Sequence, residues 1–143
     1  MLVYYFDLKK IFNMNIQILC QSFLILFGGY FAIQLIFNSK NFGQRSLHVN
    51  SKQAHGYLKP LGISLISMVV MLIVTLPALQ IGGFNSAREV IAMIGVFTLF
   101  LFIWNIGQRI KIFKTPDGRD YYKKNTYRPL LVFAIVLIYF LAS

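Results

Sequence analysis

The sequence predicts an all-α polytopic membrane protein, a bundle of four transmembrane helices of which the fourth is short, in one integral membrane domain over residues 1–143. Three observations predict this fold class. Hydrophobic residues make up 57% of the chain and charged residues 13%, whereas a soluble domain averages about 25% charged residues. Four long segments contain no charged residue at all. The cations lie in the stretches outside these segments, which is typical of membrane topology.

The first apolar segment covers residues 15–37. As a helix it would rise roughly 34 Å, enough to cross a hydrocarbon core of about 30 Å. It is too long for the apolar region of a signal peptide and no small-residue cleavage site accompanies it, so we expect it to be retained. Residues 1–13 carry aromatic residues and two lysines, and we predict a short interfacial helix there. Met14 is a second candidate start of the chain.

The second apolar segment covers residues 61–80. Pro60 immediately precedes it, at a position where the missing backbone N–H does no harm to a helix. Gly82 and Gly83 follow it, as glycines often follow the end of a helix. Pro77 lies in its last turns, so we expect that end to be bent or loosened.

The third and fourth apolar segments cover residues 90–106 and 129–142. Ser86 and Glu89 precede the third segment with the spacing of a capping box, in which each side chain bonds to a free backbone N–H of the first turn. Trp104 lies near the far end of this segment, where an indole suits the lipid headgroup level. The fourth segment would rise only about 21 Å, so it is short for a full crossing.

The charge distribution predicts an orientation. Eleven of the fourteen cations lie in two loops, residues 38–60 and 107–128. The other three are Lys9, Lys10 and Arg88. By the positive-inside rule both basic loops face the cytoplasm and both termini lie outside. We expect the membrane to be the plasma (inner) membrane of a bacterium.

The second basic loop supplies the candidate ligand-contacting residues. We expect its cations to contact anionic lipid headgroups, or an anionic ligand, with each cation contributing about 1 kcal/mol. These residues are Arg109, Lys111, Lys114, Arg119, Lys123, Lys124 and Arg128. In a soluble protein the net charge of +10 would indicate nucleic-acid binding, but these cations lie between membrane segments, so we expect no nucleic-acid partner.

Uncharged polar residues within the apolar segments are candidate helix-packing residues. Gln17 and Gln21 lie four apart in the first segment, and Ser64 and Ser67 lie three apart in the second. We expect these two pairs to hydrogen-bond across neighbouring helices, while a substrate path is the alternative. Because the segments contain no charged residue, we do not expect an ion path or a proton relay.

Residue types that carry chemistry are sparse. Cys20 is the single cysteine, which excludes an intramolecular disulfide and a cysteine-based metal site. His48 and His55 share a loop that has no carboxylate to complete a metal site. Glu89 is explained by capping and Asp117 by a turn, so no paired carboxylates are left for general acid–base work. We therefore expect no catalytic residues, no metal and no cofactor.

In size, number of spans and its basic loop, the chain is similar to the small four-helix membrane glutathione transferases. That family has an Arg, an Asn and a Glu around the start of its second helix. Here Arg45 and Asn50 occur in the loop, while Gln53 stands where the acid would be. The resemblance implies a small membrane enzyme, and we do not assign membership from it.

Two classes of function remain. The first is a non-catalytic multi-pass protein that acts by contact, as an accessory subunit of a membrane complex or as an immunity-type protein. Its expected partners are membrane lipids and either another membrane protein or further copies of the chain. The alternative is a small membrane enzyme, or a carrier of lipids or anionic metabolites, that uses the basic loops to hold its substrate.

Overall fold

The computed structural model describes residues 2–47, 52–79, 81–84, 86–113 and 123–143. Within these residues the chain forms helices and turns, which confirms the all-α class. The α-helices are α1 (Leu2–Phe37), α2 (Ser39–Ser46), α3 (Lys52–Val74), α4 (Arg88–Arg109) and α5 (Lys123–Leu141), and a single 3-10 turn covers Ile81–Gly83.

Three of the described helices are long and apolar enough to cross a membrane. The candidate spans are Lys10–Phe37 of α1, Gly56–Val74 of α3 and Arg88–Arg109 of α4. The apolar part of α5, Asn125–Leu141, is shorter. The short fourth apolar helix is therefore confirmed, while its crossing of the bilayer stays a prediction.

The separate interfacial helix expected over residues 1–13 is wrong. Helix α1 runs without interruption from Leu2 to Phe37. Residues 2–13 contain neither glycine nor proline, so nothing in this stretch stops a helix from propagating into the apolar segment. At 36 residues α1 is about 54 Å long, well beyond the thickness of the hydrocarbon core.

The boundaries predicted for α3 are also corrected. The helix begins at Lys52, so Pro60 lies inside it. Pro60 deprives only the carbonyl of Gly56 of its partner, and Gly56 is exposed, where water or headgroups can bond to that carbonyl. The helix ends at Val74, before Pro77, because a residue that precedes proline is disfavoured in a helical conformation.

The capping box predicted at the start of α4 does not form. Ala87 occupies the cap position, and the Ser86 hydroxyl accepts a hydrogen bond from the backbone N–H of Arg88 at 3.2 Å. Glu89 is exposed. Ala87 is 3% exposed and belongs to the core, so burial of its methyl group shifts the cap one residue beyond the serine.

The helices pack as two antiparallel pairs. Helix α1 lies against α3, and α4 lies against α5; contact between α1 and α5 joins the pairs, whereas α3 and α4 touch little. The main core lies where the pairs meet, and a smaller one lies where α2 closes over α1 and α3. The main core is built from Cys20, Leu24, Leu72, Ala87, Ile91, Val132, Val136 and Tyr139.

The outer surface of the bundle is apolar. Leu19 is 72% exposed and Leu26 74%, although Cys20 and Leu24 beside them on α1 are both 4% exposed. Phe100 on α4 is 65% exposed. Extensive exposed apolar surface of this kind is a liability in water and is ordinary in lipid. Together with the helix lengths, it indicates an integral membrane protein.

Both basic loops adjoin the same end of the bundle, which we call the basic end. The C-terminus of α1, the N-terminus of α3, the C-terminus of α4 and the N-terminus of α5 all lie there. Contacts across this end include Arg128 with Ser46 and Asn105 with Asn125. The two termini of the bundle lie at the opposite end. Which end faces the cytoplasm stays a prediction.

The sidedness can be tested by charge reversal. Replacement of both Lys123 and Lys124 by Glu should move a measurable fraction of a reporter fused after Ser143 from outside to inside, because it removes two of the seven cations of the loop. Replacement of Lys10 by Glu, which removes a cation from the opposite end, is the control and should leave the reporter outside. An unchanged reporter in the double variant would show that helix packing sets the topology.

Candidate functional site

Arg128 joins three helices at the basic end. Its guanidinium Nη1 donates a hydrogen bond to the backbone oxygen of Ser46, at the end of α2, over 3.0 Å. The same guanidinium lies over the Phe31 ring of α1, 5.3 Å from its centroid. The side chain is half-buried. Arg128 therefore holds α5 to α1 and α2, and its predicted contact with headgroups stays a prediction.

An aromatic cluster positions the ring that receives Arg128. Phe31 lies 4.9 Å from Phe27, one turn earlier on α1, and 5.3 Å edge-to-face from Phe42 of α2. Tyr30 also meets the Phe42 ring edge-on at 6.3 Å. Such pairs each contribute about 0.5–1.5 kcal/mol beyond the area that they bury. Burial of Phe42 in this cluster holds the short α2 against the bundle.

The C-terminus of α4 ends in a tight backbone reversal. Lys111 adopts a φ of 60°, the left-handed conformation that usually needs glycine. Its N–H bonds to the carbonyl of Gln108 at 3.2 Å, and the N–H of Ile112 bonds to the carbonyl of Gly107 at 2.9 Å. These two bonds form a Schellman motif, which satisfies the last carbonyls of the helix.

The reversal returns Phe113 to the side of α4. The Phe113 ring stacks on Trp104 with a centroid distance of 4.7 Å and covers Gly107, where a Cβ atom would overlap the ring. The stacked pair closes one end of an apolar groove of about 380 Å³ on the outer side of α4, which we call the α4 groove. It is lined by Phe97, Phe100, Leu101, Ile103, Trp104 and Phe113.

Only some of the predicted headgroup contacts can be placed. Lys111 and Arg109 are exposed at the end of α4, close in sequence to the α4 groove. Lys123 and Lys124 form the start of α5, but their side chains lie outside the described residues, as do Lys114 and Arg119 entirely. Contact between these cations and anionic headgroups stays a prediction.

Gln21 is a deeply buried polar residue between α1 and α3. It is 3% exposed, and its Nε2 donates to the carbonyl oxygen of Leu72 at 2.7 Å and to the Thr75 hydroxyl at 3.3 Å. Residue type and spacing alone do not single out Thr75. Antiparallel packing of α1 and α3 would have identified it. Gln21 lies well before the end of α1, so in an antiparallel pair it must face a residue near the end of α3. Gln17, one turn earlier, is half-buried.

The structure does not bring Ser64 and Ser67 to the glutamines. Both serines are exposed, and the Ser67 hydroxyl donates to the Ile63 carbonyl of its own helix at 2.9 Å. They belong to a surface that we call the α3 outer face, whose exposed members are Pro60, Ile63, Ser64, Ser67 and Val70. A helix-packing role for these serines therefore requires a helix from outside the bundle.

The described residues contain little that resembles a catalytic or metal centre. Within them, no group of three or more His, Cys, Asp or Glu side chains is placed to hold a metal ion. Cys20 is buried in the main core. Between α4 and α5, the Asn105 side chain donates to the Asn125 carbonyl at 2.8 Å. His48 and the His55 side chain lie outside the described residues.

Comparison with known proteins finds no matching family model, and neither a curated protein nor a solved structure shows significant similarity to the chain. The function is therefore argued from the bundle itself.

Proposed function

We propose that this chain is a non-catalytic multi-pass membrane protein that acts by contact, as an accessory subunit of a membrane complex or as an immunity-type protein. The contact surface in this proposal is the α3 outer face. The partner is a transmembrane helix of another protein or of a second copy of the chain.

The observation that carries the proposal is the exposure of Ser64 and Ser67 on an otherwise apolar helix face. Ile63 is 57% exposed and Val70 50%, so the serines lie among side chains that suit lipid. Serine makes a poor lipid-facing residue and a good helix–helix contact, because its small side chain lets two backbones approach and its hydroxyl can bond across the interface.

The way that α3 packs also favours a partner. Helix α3 is held by α1, through Gln21 and the close approach at Gly62, and it has little contact with α4. A partner helix can therefore lie along α3 without displacing a helix of the bundle. No rearrangement of the described core is needed, which keeps the cost of association low.

The alternative enzyme or carrier depends on the basic loops. Of the cations proposed to hold an anionic substrate, Arg128 is already bonded to Ser46 and stacked on Phe31. The contact function uses the α3 outer face, which no described helix of the bundle covers. The alternative uses Arg128, whose side chain already makes contacts within the bundle. The geometry favours the first.

The test is affinity purification of the tagged protein from gently solubilised native membranes, with identification of what copurifies in fixed proportion. We expect one stoichiometric membrane-protein partner, or a defined homo-oligomer. Replacement of both Ser64 and Ser67 by Leu should reduce the copurified partner about tenfold or more, since bulky side chains keep the helices apart. Replacement of both Ala92 and Ala134 by Leu is the matched control, because both alanines are exposed on other helices.

A monomer that carries a lipid or an anionic metabolite, with no stoichiometric protein, would contradict the contact function and support the carrier or enzyme. A partner that the serine variant and the control retain equally would place the contact away from the α3 outer face.

A further inference from the structure

The α4 groove can hold part of a lipid acyl chain. Its lining residues run from Phe97 to Trp104 along two turns of α4, a length of about 10 Å. The lining is formed by aromatic and aliphatic side chains, several of them strongly exposed: Phe100 by 65% and Ile103 by 49%. In a membrane such a groove is filled by hydrocarbon.

The closed end of the groove is built before any ligand arrives. Phe113 is held by three features: the stack on Trp104, the absence of a side chain on Gly107, and the hydrogen bond from its own N–H to the Gly107 carbonyl at 3.1 Å. The left-handed conformation of Lys111 makes this return possible. Because the wall is already ordered, binding of a ligand does not cost the conformational entropy of ordering the wall.

The groove ends where positive charge begins. Trp104, whose indole suits the headgroup level, lies at the closed end, and Lys111 is exposed two residues before Phe113. The loop that starts here, residues 107–128, has seven cations and two carboxylates. The apolar α4 groove followed by the cation of Lys111 complements an amphipathic anion, which has an apolar chain and a negatively charged head.

We infer that the α4 groove binds the headgroup-proximal part of an acyl chain of an anionic phospholipid whose headgroup is held by Lys111. The occupant is a bilayer lipid, since the groove opens on the outer surface of the bundle. The inference does not depend on the proposed contact function, because that function uses the α3 outer face, so failure of one leaves the other standing.

The test uses Trp104, which is the single tryptophan of the chain. The full-length protein is reconstituted in vesicles that contain both phosphatidylglycerol and phosphatidylcholine, with only one of the two brominated on its acyl chains, and the fraction of the brominated lipid is increased. Quenching of Trp104 fluorescence then reports which lipid occupies the groove. The two probes are brominated phosphatidylglycerol, which is anionic, and brominated phosphatidylcholine, which has no net charge.

We expect phosphatidylglycerol to compete for the groove more strongly than phosphatidylcholine. Replacement of Lys111 by Gly should lower this preference about fivefold, the contribution of one lysine at an anionic surface. Glycine also suits the left-handed conformation, so the wall of the groove is kept. Replacement of Lys111 by Arg should keep the preference, and replacement by Gln of Lys59, an exposed cation on α3 at the same end, should leave it unchanged.

Three results would overturn the inference. One is equal quenching of the wild-type protein by the two lipids. Another is the absence of quenching by either, which would mean that lipid does not enter the groove. The third is a preference that survives in the Lys111→Gly variant or falls equally in the Lys59→Gln control, since either would assign the selectivity to the general positive charge of the basic end.

Discussion

Replacement of Gly62 by alanine should destabilise the protein by about 2 to 3 kcal/mol, in the upper part of the range for an overpacked core. A Cβ atom at this position would lie 2.8 Å from Cγ1 of Ile36, 2.9 Å from Cβ of Leu35 and 3.1 Å from the backbone oxygen of Ala32. The last two atoms cannot move by rotation of a side chain. The whole of α3 must therefore shift away from α1, which loosens the contact that buries Leu35 at 2% exposure.

Gly56 offers a matched control on the same helix. A Cβ atom there meets nothing within 4 Å, so alanine adds only helix propensity and should raise the stability by up to about 1 kcal/mol. Both free energies of unfolding can be measured by titration with SDS in mixed micelles, followed by near-ultraviolet circular dichroism. If both variants gained stability, the close approach of α1 and α3 at Gly62 would be refuted.

Replacement of Arg128 by alanine should cost about 2 to 3 kcal/mol. The loss combines a hydrogen bond from a charged donor, worth about 1.5–3 kcal/mol, with a cation–π contact worth about 0.5–1 kcal/mol, less the side-chain entropy that is regained. Because these contacts join α5 to α1 and α2, the basic end should loosen first. Labels on exposed residues of α2 and α5, such as Asn41 and Tyr127, should then show a broader distance distribution by pulsed electron paramagnetic resonance.

Lysine at position 128 should restore only part of the stability, since it can bond to the Ser46 carbonyl but lacks the planar group that lies over Phe31. Alanine at Lys59 is the control for loss of a cation at the same end and should change stability by less than about 0.5 kcal/mol. Equal effects of Arg128→Ala and Lys59→Ala would argue that Arg128 contributes only surface charge.

The sequence predicted the helices well because its strongest signal is the absence of charge over a length that matches a bilayer. It predicted the ends of the helices poorly. Pro60 resembles a helix boundary in the sequence, although the helix continues through it because solvent can reach the carbonyl of Gly56. The spacing of Ser86 and Glu89 predicts a cap at the serine, whereas the cap lies at the buried Ala87.

The pairing of polar residues depended on tertiary register, which a single sequence does not display. Residue type favours a contact of Gln21 with Ser64 and Ser67, whereas the antiparallel geometry places it beside Leu72 and Thr75. The α4 groove was not foreseen, because it depends on a left-handed residue that is not glycine. The role of Arg128 was hidden for a similar reason, since its partners come from helices far away in the sequence.

The division into two helix pairs has a consequence for synthesis. Helices α1 and α3 are completed while α4 and α5 are still being translated, so the first pair enters the bilayer alone. Both hydrogen-bond partners of Gln21 belong to the part of the chain made by then. Its side-chain amide is therefore not left without a partner in the lipid before α4 and α5 arrive. The α1 surface that later meets α5 is apolar and is solvated by lipid in the meantime. The buried amide of Gln21 therefore does not depend on the second pair, whereas the main core is completed only when α4 and α5 pack against α1 and α3.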